Sequence, residues 1–414
     1  MITNVIQEEL PVSNKIIIVS IVTALCLVGD SFLYIALPIY WKDAGLTSIW
    51  QVGLLLSINR FIRLPANPVI GWFYQRMSLK TGLLIAVVIG SLTTLGYGVV
   101  KGFIGWIILR ALWGIAWSFF RIGGLSTVVH YADEKNRGKA MGLYNGLYRL
   151  GSLVGMLAGG VLVPFFGLSA IAIVFGSISI IGIPLIFVSL KTSDKESKNL
   201  SSSKKELQSL HFNRSAFMVI ISGFFLTMLI QGVFTSTLST LIKHHFGVQI
   251  PLFGITIGVT ALAGLILAAR WVWEPFLGSL FGKWSDGSKG RIPLLNVSLF
   301  IASITYGLLS VKIPIFIWIA VVLITMISAT SLTTLTDSLA GDIAKTTNAV
   351  AFLTLYSIIQ DVGAAIGPII AYLLIEKAHG FLYLYWGCSA ILLTLSLTWM
   401  KEIRYSADSE YSIK

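Results

Sequence analysis

Ten charged side chains stand inside stretches that are otherwise apolar: Asp30, Arg60, Arg63, Arg110, Arg121, Arg149, Arg270, Glu274, Asp337 and Asp361. Two of them, Arg60 and Arg63, lie three residues apart in "INRFIRLPANPVIG". A charge at the centre of a membrane-spanning helix costs about 2.5–3.5 kcal/mol on insertion scales. Such groups must pair, meet water or bind a charged ligand. Asp337 and Glu274 stand near predicted helix ends, where a side chain can reach the interface. Asp30, Arg60, Arg63, Arg121, Arg149 and Asp361 are too central for that.

Helical spacing collects these groups into polar stripes. Arg110, Gly114, Trp117 and Arg121 share one face. Arg60, Arg63 and Asn67 share another, as do Asn145, Tyr148, Arg149 and Ser152. Ser357, Gln360, Asp361 and Ala364 make a fourth, and Thr23, Asp30 and Tyr34 a fifth. Asp30 is the candidate proton carrier and Arg110 its expected partner; the plain alternative is a structural ion pair. Tyr34, Arg60, Arg63, Trp117, Arg121, Tyr148, Arg149 and Asp361 are the candidate substrate-binding residues. Trp117 serves equally well as helix packing. The first half carries five intramembrane arginines against Asp30 alone. A wall of that sign favours an anionic or zwitterionic solute.

The elements that position these residues are apolar runs. A bilayer core takes about 20 residues of helix. Twelve runs of that kind are present, approximately 16–41, 50–74, 82–100, 103–130, 140–164, 167–190, 215–241, 250–281, 292–311, 313–339, 349–375 and 380–400. The expected fold class is an all-α membrane protein with twelve transmembrane helices. The organisation is 1–190 as one six-helix half, 191–214 as a Ser/Lys-rich linker, 215–400 as a second half and 401–414 as a tail. With the N-terminus inside, the inner segments hold nineteen Lys and Arg and the outer loops five. That bias places both termini and the linker in the cytoplasm.

The halves repeat. "RLPANPVIG" from Arg63 meets "RWVWEPFLG" from Arg270, sharing Arg-x4-Pro-x2-Gly. "LYNGLYRLGSLVGM" meets "LYSIIQDVGAAIGP", which sets Arg149 on Asp361. More loosely, Asp30 falls opposite Gln231. Arg149 with Asp361 reads as a bridge between halves or as a substrate contact. Arg63, with its twin, belongs to the shared framework and is expected to face Asp361. Arg60, opposite Leu267, is the better candidate for a substrate contact. Parallel repeats of this kind are the layout of a secondary transporter with its site at the midplane.

Composition excludes several classes. The 414 residues are 56% hydrophobic and 12% charged, against about a quarter charged in a soluble domain. The net charge of +12 is explained by the inner loops rather than by nucleic acid. No phosphate-binding Gly-x4-Gly-Lys-Ser/Thr occurs, so ATP-driven transport is not expected. Cys26 and Cys388 lie far apart in apolar runs and read as neither a disulfide nor a metal site. His244 and His245 are adjacent, and loop residues are the default reading. The start, "ITNVIQEEL", lacks the features of a cleaved signal. The expectation is a protein without catalytic residues or cofactor, working as a monomer in lipid on a small solute and protons.

The pattern resembles the major facilitator superfamily, and within it the twelve-span drug:proton antiporters. Five segments carry the likeness, and the first is "GDSFLYIALP", similar to the family's Asp-bearing first helix ending Ala-Leu-Pro. "GWFYQRMSLK" keeps Gly71, Arg76 and Lys80 of the signature between spans 2 and 3, with Gln75 for its acid and Ser78 for its second Gly. "GKWSDGSKGR" offers Gly282 and Asp286 at the equivalent place in the second half. Arg110 and Gly114 match the span-4 motif. "GMLAGG" keeps Gly155, Gly159 and Gly160 of the span-5 motif, with Met156 for its Pro. The resemblance implies alternating access, proton coupling through Arg110, and a conformational latch of Gly71, Arg76 and Asp286. It also implies export across the cytoplasmic (inner) membrane. Paired arginines on spans 2 and 8 are similar to those of the nitrate/nitrite branch, which keeps an anion-selective porter or uniporter as an alternative. A lipid or lysolipid flippase is the third reading.

Overall fold

The computed structural model describes residues 13–133, 136–190, 214–252, 254–286, 290–346 and 349–411. The linker expected over 191–214 lies, but for Arg214, outside the described residues, as does the last part of the tail. The helices are α1 (Asn14–Ser31), α2 (Leu33–Tyr40), α3 (Trp50–Tyr74), α4 (Leu79–Val99), α5 (Phe103–Tyr131), α6 (Arg137–Ile180) and α7 (Gly182–Ser189). They continue with α8 (Arg214–Thr227), a π-helical stretch (Met228–Phe234), α9 (Thr235–Phe246), α10 (Val259–Ser285) and α11 (Arg291–Leu309). The last are α12 (Ile315–Thr346), α13 (Ala349–Ile375) and α14 (Gly380–Tyr411).

Ten helical stretches among the described residues are long and apolar enough to cross a membrane. One of them, Arg137–Ser189, runs for 53 residues. It breaks at Gly167, whose φ of 80° suits a residue without Cβ, so it holds two spans. The 25-residue α3 is long enough, and its polar stripe keeps it outside the ten. Together these are consistent with twelve spans in an all-α membrane protein.

Three boundaries differ most from expectation: α12 continues to Thr346 and α14 to Tyr411, past the predicted ends at 339 and 400 and into the predicted tail, and the eighth span starts late. The eighth span starts at Val259 rather than near residue 250, because a hairpin of β1 (Gln249–Leu252) and β2 (Ile255–Gly258) fills the gap. Ile250 pairs with Ile257 in that hairpin. The segment's apolar character therefore extended the predicted helix into a strand pair.

Packing follows the repeat. Through Ser189, α1 packs on α6, α3 on α5, and α4 on both α5 and α6. From Arg214, the seventh span packs on α13, α10 on α12, and α11 on both α12 and α14. Each of the first pairs has its counterpart in the second. Buried apolar residues gather accordingly: one cluster lies almost wholly beyond residue 215, and two lie almost wholly before 191.

Two helix pairs make most of the joint between the parts, α3 with α13 and α6 with α10, and α2 adds smaller contacts with α9 and α10. Small residues make the approach possible. A Cβ on Gly53 would stand 2.5 Å from the Pro368 carbonyl, and one on Gly160 2.5 Å from that of Thr260. Thr260 Oγ1 donates to the Gly160 carbonyl at 2.8 Å. Both contacts lie toward the end where Ala44 meets Gly102 and Ser48 donates to Glu376. Toward the other end Gly71, Gly142, Gly146 and Gly282 face open space. The two parts meet closely at the first end.

Candidate functional site

Between the two parts lies a cavity of about 620 Å³. All the candidate substrate residues line it: Tyr34, Arg60, Arg63, Trp117, Arg121, Tyr148, Arg149 and Asp361. Asp30 reaches it as well. Arg110 stands behind Asp30 and is fully buried.

Arg110 Nη1 donates to Asp30 Oδ1. Its Nε donates to the Leu55 carbonyl at 2.9 Å, which ties α5 to α3 as well as to α1. Two charges held this far from water are stable only while both are present and hydrogen-bonded.

Further along the cavity, Asp361 of α13 receives two arginines from the first part. Arg121 Nη1 is 3.3 Å from Oδ2 and Arg60 Nη1 3.9 Å from Oδ1. Arg121 also donates to Ser357 Oγ at 3.2 Å, and Arg60 to Gln231 Oε1 at 3.3 Å. Gln231 stands on the π-helical stretch, a wide turn that lets its side chain meet Arg60.

On the other side, Glu274 of α10 lies 3.7 Å from Arg149 and 3.4 Å from Arg270. The Arg149 guanidinium also sits 5.5 Å from the Trp271 ring centre. Asp337 accepts from Tyr356 at 2.8 Å and from Gln360 at 3.2 Å.

Several pairings differ from those the repeat suggested. Arg149 meets Glu274, not Asp361, because equivalence in a repeat aligns helices without making them touch. Arg63 does not reach Asp361; Arg60 does. Glu274 and Asp337 do not turn away to the interface but face the cavity. The arginine wall is consequently less positive than the first half implied. The second part brings Glu274, Asp337 and Asp361, so five arginines and four carboxylates line the cavity.

Arg63 is the exception among these arginines. It is 8% exposed and forms no ion pair among the described residues. Its Nε is buried without a hydrogen-bond partner. It lies 5.3 Å from the Trp117 ring centre, and Trp117 in turn packs edge-on against Tyr148. Gln231 and Trp271 went unnoticed as lining residues. The one signal for Gln231 was its register opposite Asp30; for Trp271 there was none beyond its place next to Arg270.

The residues expected to form a latch are not brought together. Gly71 faces open space, Arg76 stacks on Trp72 at 3.9 Å, and Asp286 pairs with Arg291 at 3.1 Å. Arg291 is also 3.0 Å from Asp342. In this conformation Arg76 and Asp286 each hold a local partner.

A helical membrane protein with one charged cavity between two repeated bundles is a multi-pass membrane transporter, living in lipid and handling a small molecule. The sequence profile described as the Major Facilitator Superfamily matches residues 19–285, and the chain belongs to that superfamily. An uncharacterized MFS-type transporter of Methanocaldococcus jannaschii is 23% identical over 337 residues, which is 79% of this chain and 82% of that protein. The synaptic vesicular amine transporter of Rattus norvegicus is 31% identical over 121 residues, 29% of this chain and 24% of the relative. The same architecture occurs in a bacterial homolog of the human lysosomal transporter Spinster, solved inward-facing and occupied. There the TM-score is 0.76 at 15% identity, covering 94% of this chain and 96% of that one. The nucleoside transporter NupG gives 0.74 at 14% identity, covering 95% and 100%.

Proposed function

We propose that this protein is a proton-coupled secondary transporter that exports a small amphipathic solute bearing a negative charge. It acts in the cytoplasmic membrane, as a monomer with both termini inside. Residues 1–190 and 215–400 are the halves that rock about the cavity, and the end away from the close contact is the cytoplasmic one.

The observation that carries the reading is the Asp30–Arg110 pair, buried beside the cavity and tied through Arg110 to α3. Protonation of Asp30 removes the counter-charge of Arg110. An uncompensated buried cation costs several kcal/mol, so proton uptake favours rearrangement of α1, α3 and α5. Arg60 and Arg121 bind Asp361 when the cavity is empty. An anionic solute competes for those guanidiniums and loosens the tie between halves. Gly71, Arg76 and Asp286 are proposed to latch the cytoplasmic end when it closes.

The test uses proteoliposomes loaded with a pH-sensitive dye and challenged with a panel of organic anions. The expected result is proton movement evoked by substrate and abolished by Asp30→Asn. Proton movement that survives in Asp30→Asn rules out the assignment of the carrier. A second reading, an anion porter that needs no proton, is favoured by the unpaired Arg63. Anion flux without proton movement in the wild type would select it.

A further inference from the structure

Seven of the nine carboxylates and guanidiniums that line the cavity have an opposite charge beside them. Two do not, and they have opposite signs. Arg63 belongs to the first half and Asp337 to the second. Neither forms an ion pair among the described residues, and they do not pair with each other.

The sequence explains the vacancy at Arg63. Its twin in the repeat, Arg270, has Glu274 four residues on, where a helix brings side chains together, and the two lie 3.4 Å apart. The residue four places after Arg63 is Asn67, which cannot neutralise it. Asn67 Oδ1 is itself buried without a partner. A guanidinium this buried and unpaired is a strong place for an anion. The Trp117 face at 5.3 Å offers only partial compensation.

Asp337 is built differently. Both of its donors, Tyr356 and Gln360, bind Oδ1. They hold the carboxylate in place while Oδ2 receives no donor among the described residues. The side chain is exposed to the cavity. A fixed carboxylate with one free oxygen in an open cleft suits an ammonium group.

We propose that the cavity recognises its solute at two ends: a carboxylate or similar anion at Arg63 and an ammonium at Asp337. The substrate class is a small zwitterion with an apolar or aromatic middle, which Trp117, Tyr148 and Trp271 would flank. This rests on the transport reading above and narrows it. It also gives the solute a mechanical role. Its charges are matched only when one molecule engages both halves, so a singly charged analogue satisfies one half and leaves the other unpaired.

The test uses the purified full chain and three zwitterions of graded charge separation: phenylalanine, aminohexanoate and phenylalanylphenylalanine. Each is compared with its N-acetylated anion and its methyl-ester cation by ligand-induced thermal stabilisation. In at least one set the zwitterion should bind about tenfold or more tightly than both relatives, a difference of about 1.4 kcal/mol. Asp337→Asn, which keeps the Tyr356 and Gln360 hydrogen bonds, should erase that preference and retain the anion. Arg63→Gln should retain the cation only; if it fails to fold, Arg63→Lys should preserve the ranking at lower affinity. An anion that equals its zwitterion in every set overturns the proposal, as does a preference that survives Asp337→Asn. So does the absence of stabilisation by all three zwitterions. An anion winner that depends on Arg63 would leave the transport reading standing, whereas loss of solute-evoked proton movement strikes that reading separately.

Discussion

Asp30 and Arg110 show how two costly residues become compatible with an apolar wall. Each alone would be an isolated charge in an apolar wall. Together, with the Leu55 carbonyl accepting from the Arg110 Nε, they form a matched pair. Removing one partner of a buried pair costs about 3–5 kcal/mol, whereas replacing both with apolar residues of similar volume is often neutral. Asp30→Asn should therefore lower the unfolding temperature by several degrees in detergent. Asp30→Leu combined with Arg110→Met should recover most of that loss yet transport nothing against a proton gradient. Recovery of transport as well would show that the pair is structural. Gln231 gives a milder case at the same scale. Its hydrogen bond to Arg60 is long, at 3.3 Å, so Gln231→Leu should shift solute affinity only about two- to tenfold.

The helices contribute close approach at one end. Gly160 and Gly264 face each other across α6 and α10, and a Cβ on Gly264 would stand 2.5 Å from the Met156 carbonyl. No rotamer relieves a clash against backbone. Gly160→Val should therefore push α6 and α10 apart and disfavour the close contact. Spin labels placed at the closely packed ends of those helices should report a longer distance than in the wild type. An unchanged distance distribution would mean that the bundle absorbs the side chain elsewhere. Motifs legible at this scale were those of local geometry. The Arg-x4-Pro-x2-Gly match and the span-5 glycines stood out because helix approach needs small residues at fixed intervals. The hairpin over Gln249–Gly258 did not, because a short apolar run reads alike as strand or helix.

At the scale of the whole molecule, two cavity carboxylates of the second part, Glu274 and Asp361, settle on arginines of both parts. Arg149 and Glu274 form a cross-part bridge in a wet setting, with Arg149 nearly half exposed. An exposed pair contributes about 0.2–1 kcal/mol. Arg149→Glu should thus leave stability almost intact while shifting the balance between the cavity's open and closed states by about two- to fivefold. Arg149→Glu with Glu274→Arg should restore the balance, read as the fraction of molecules with parted α6 and α10 ends. A double swap that restores nothing would assign the effect of Arg149 to its contact with Trp271.

Much of this protein is written in its one-dimensional pattern. Apolar runs of membrane length, separated by short basic loops and repeated about a Ser/Lys-rich segment, determine the class of fold, because lipid admits few other ways of satisfying the backbone. The same pattern picks out the lining residues, since a charge in such a run must face the interior. Which charge meets which was decided only by the tertiary structure. The repeat suggested Arg149 for Asp361, and the fold supplied Arg60 and Arg121. It turned Glu274 and Asp337 inward and left Arg63 without a counter-ion. The reason is physical: periodicity fixes the face a residue occupies on its own helix, whereas partners depend on the depth, tilt and rotation of two helices against each other.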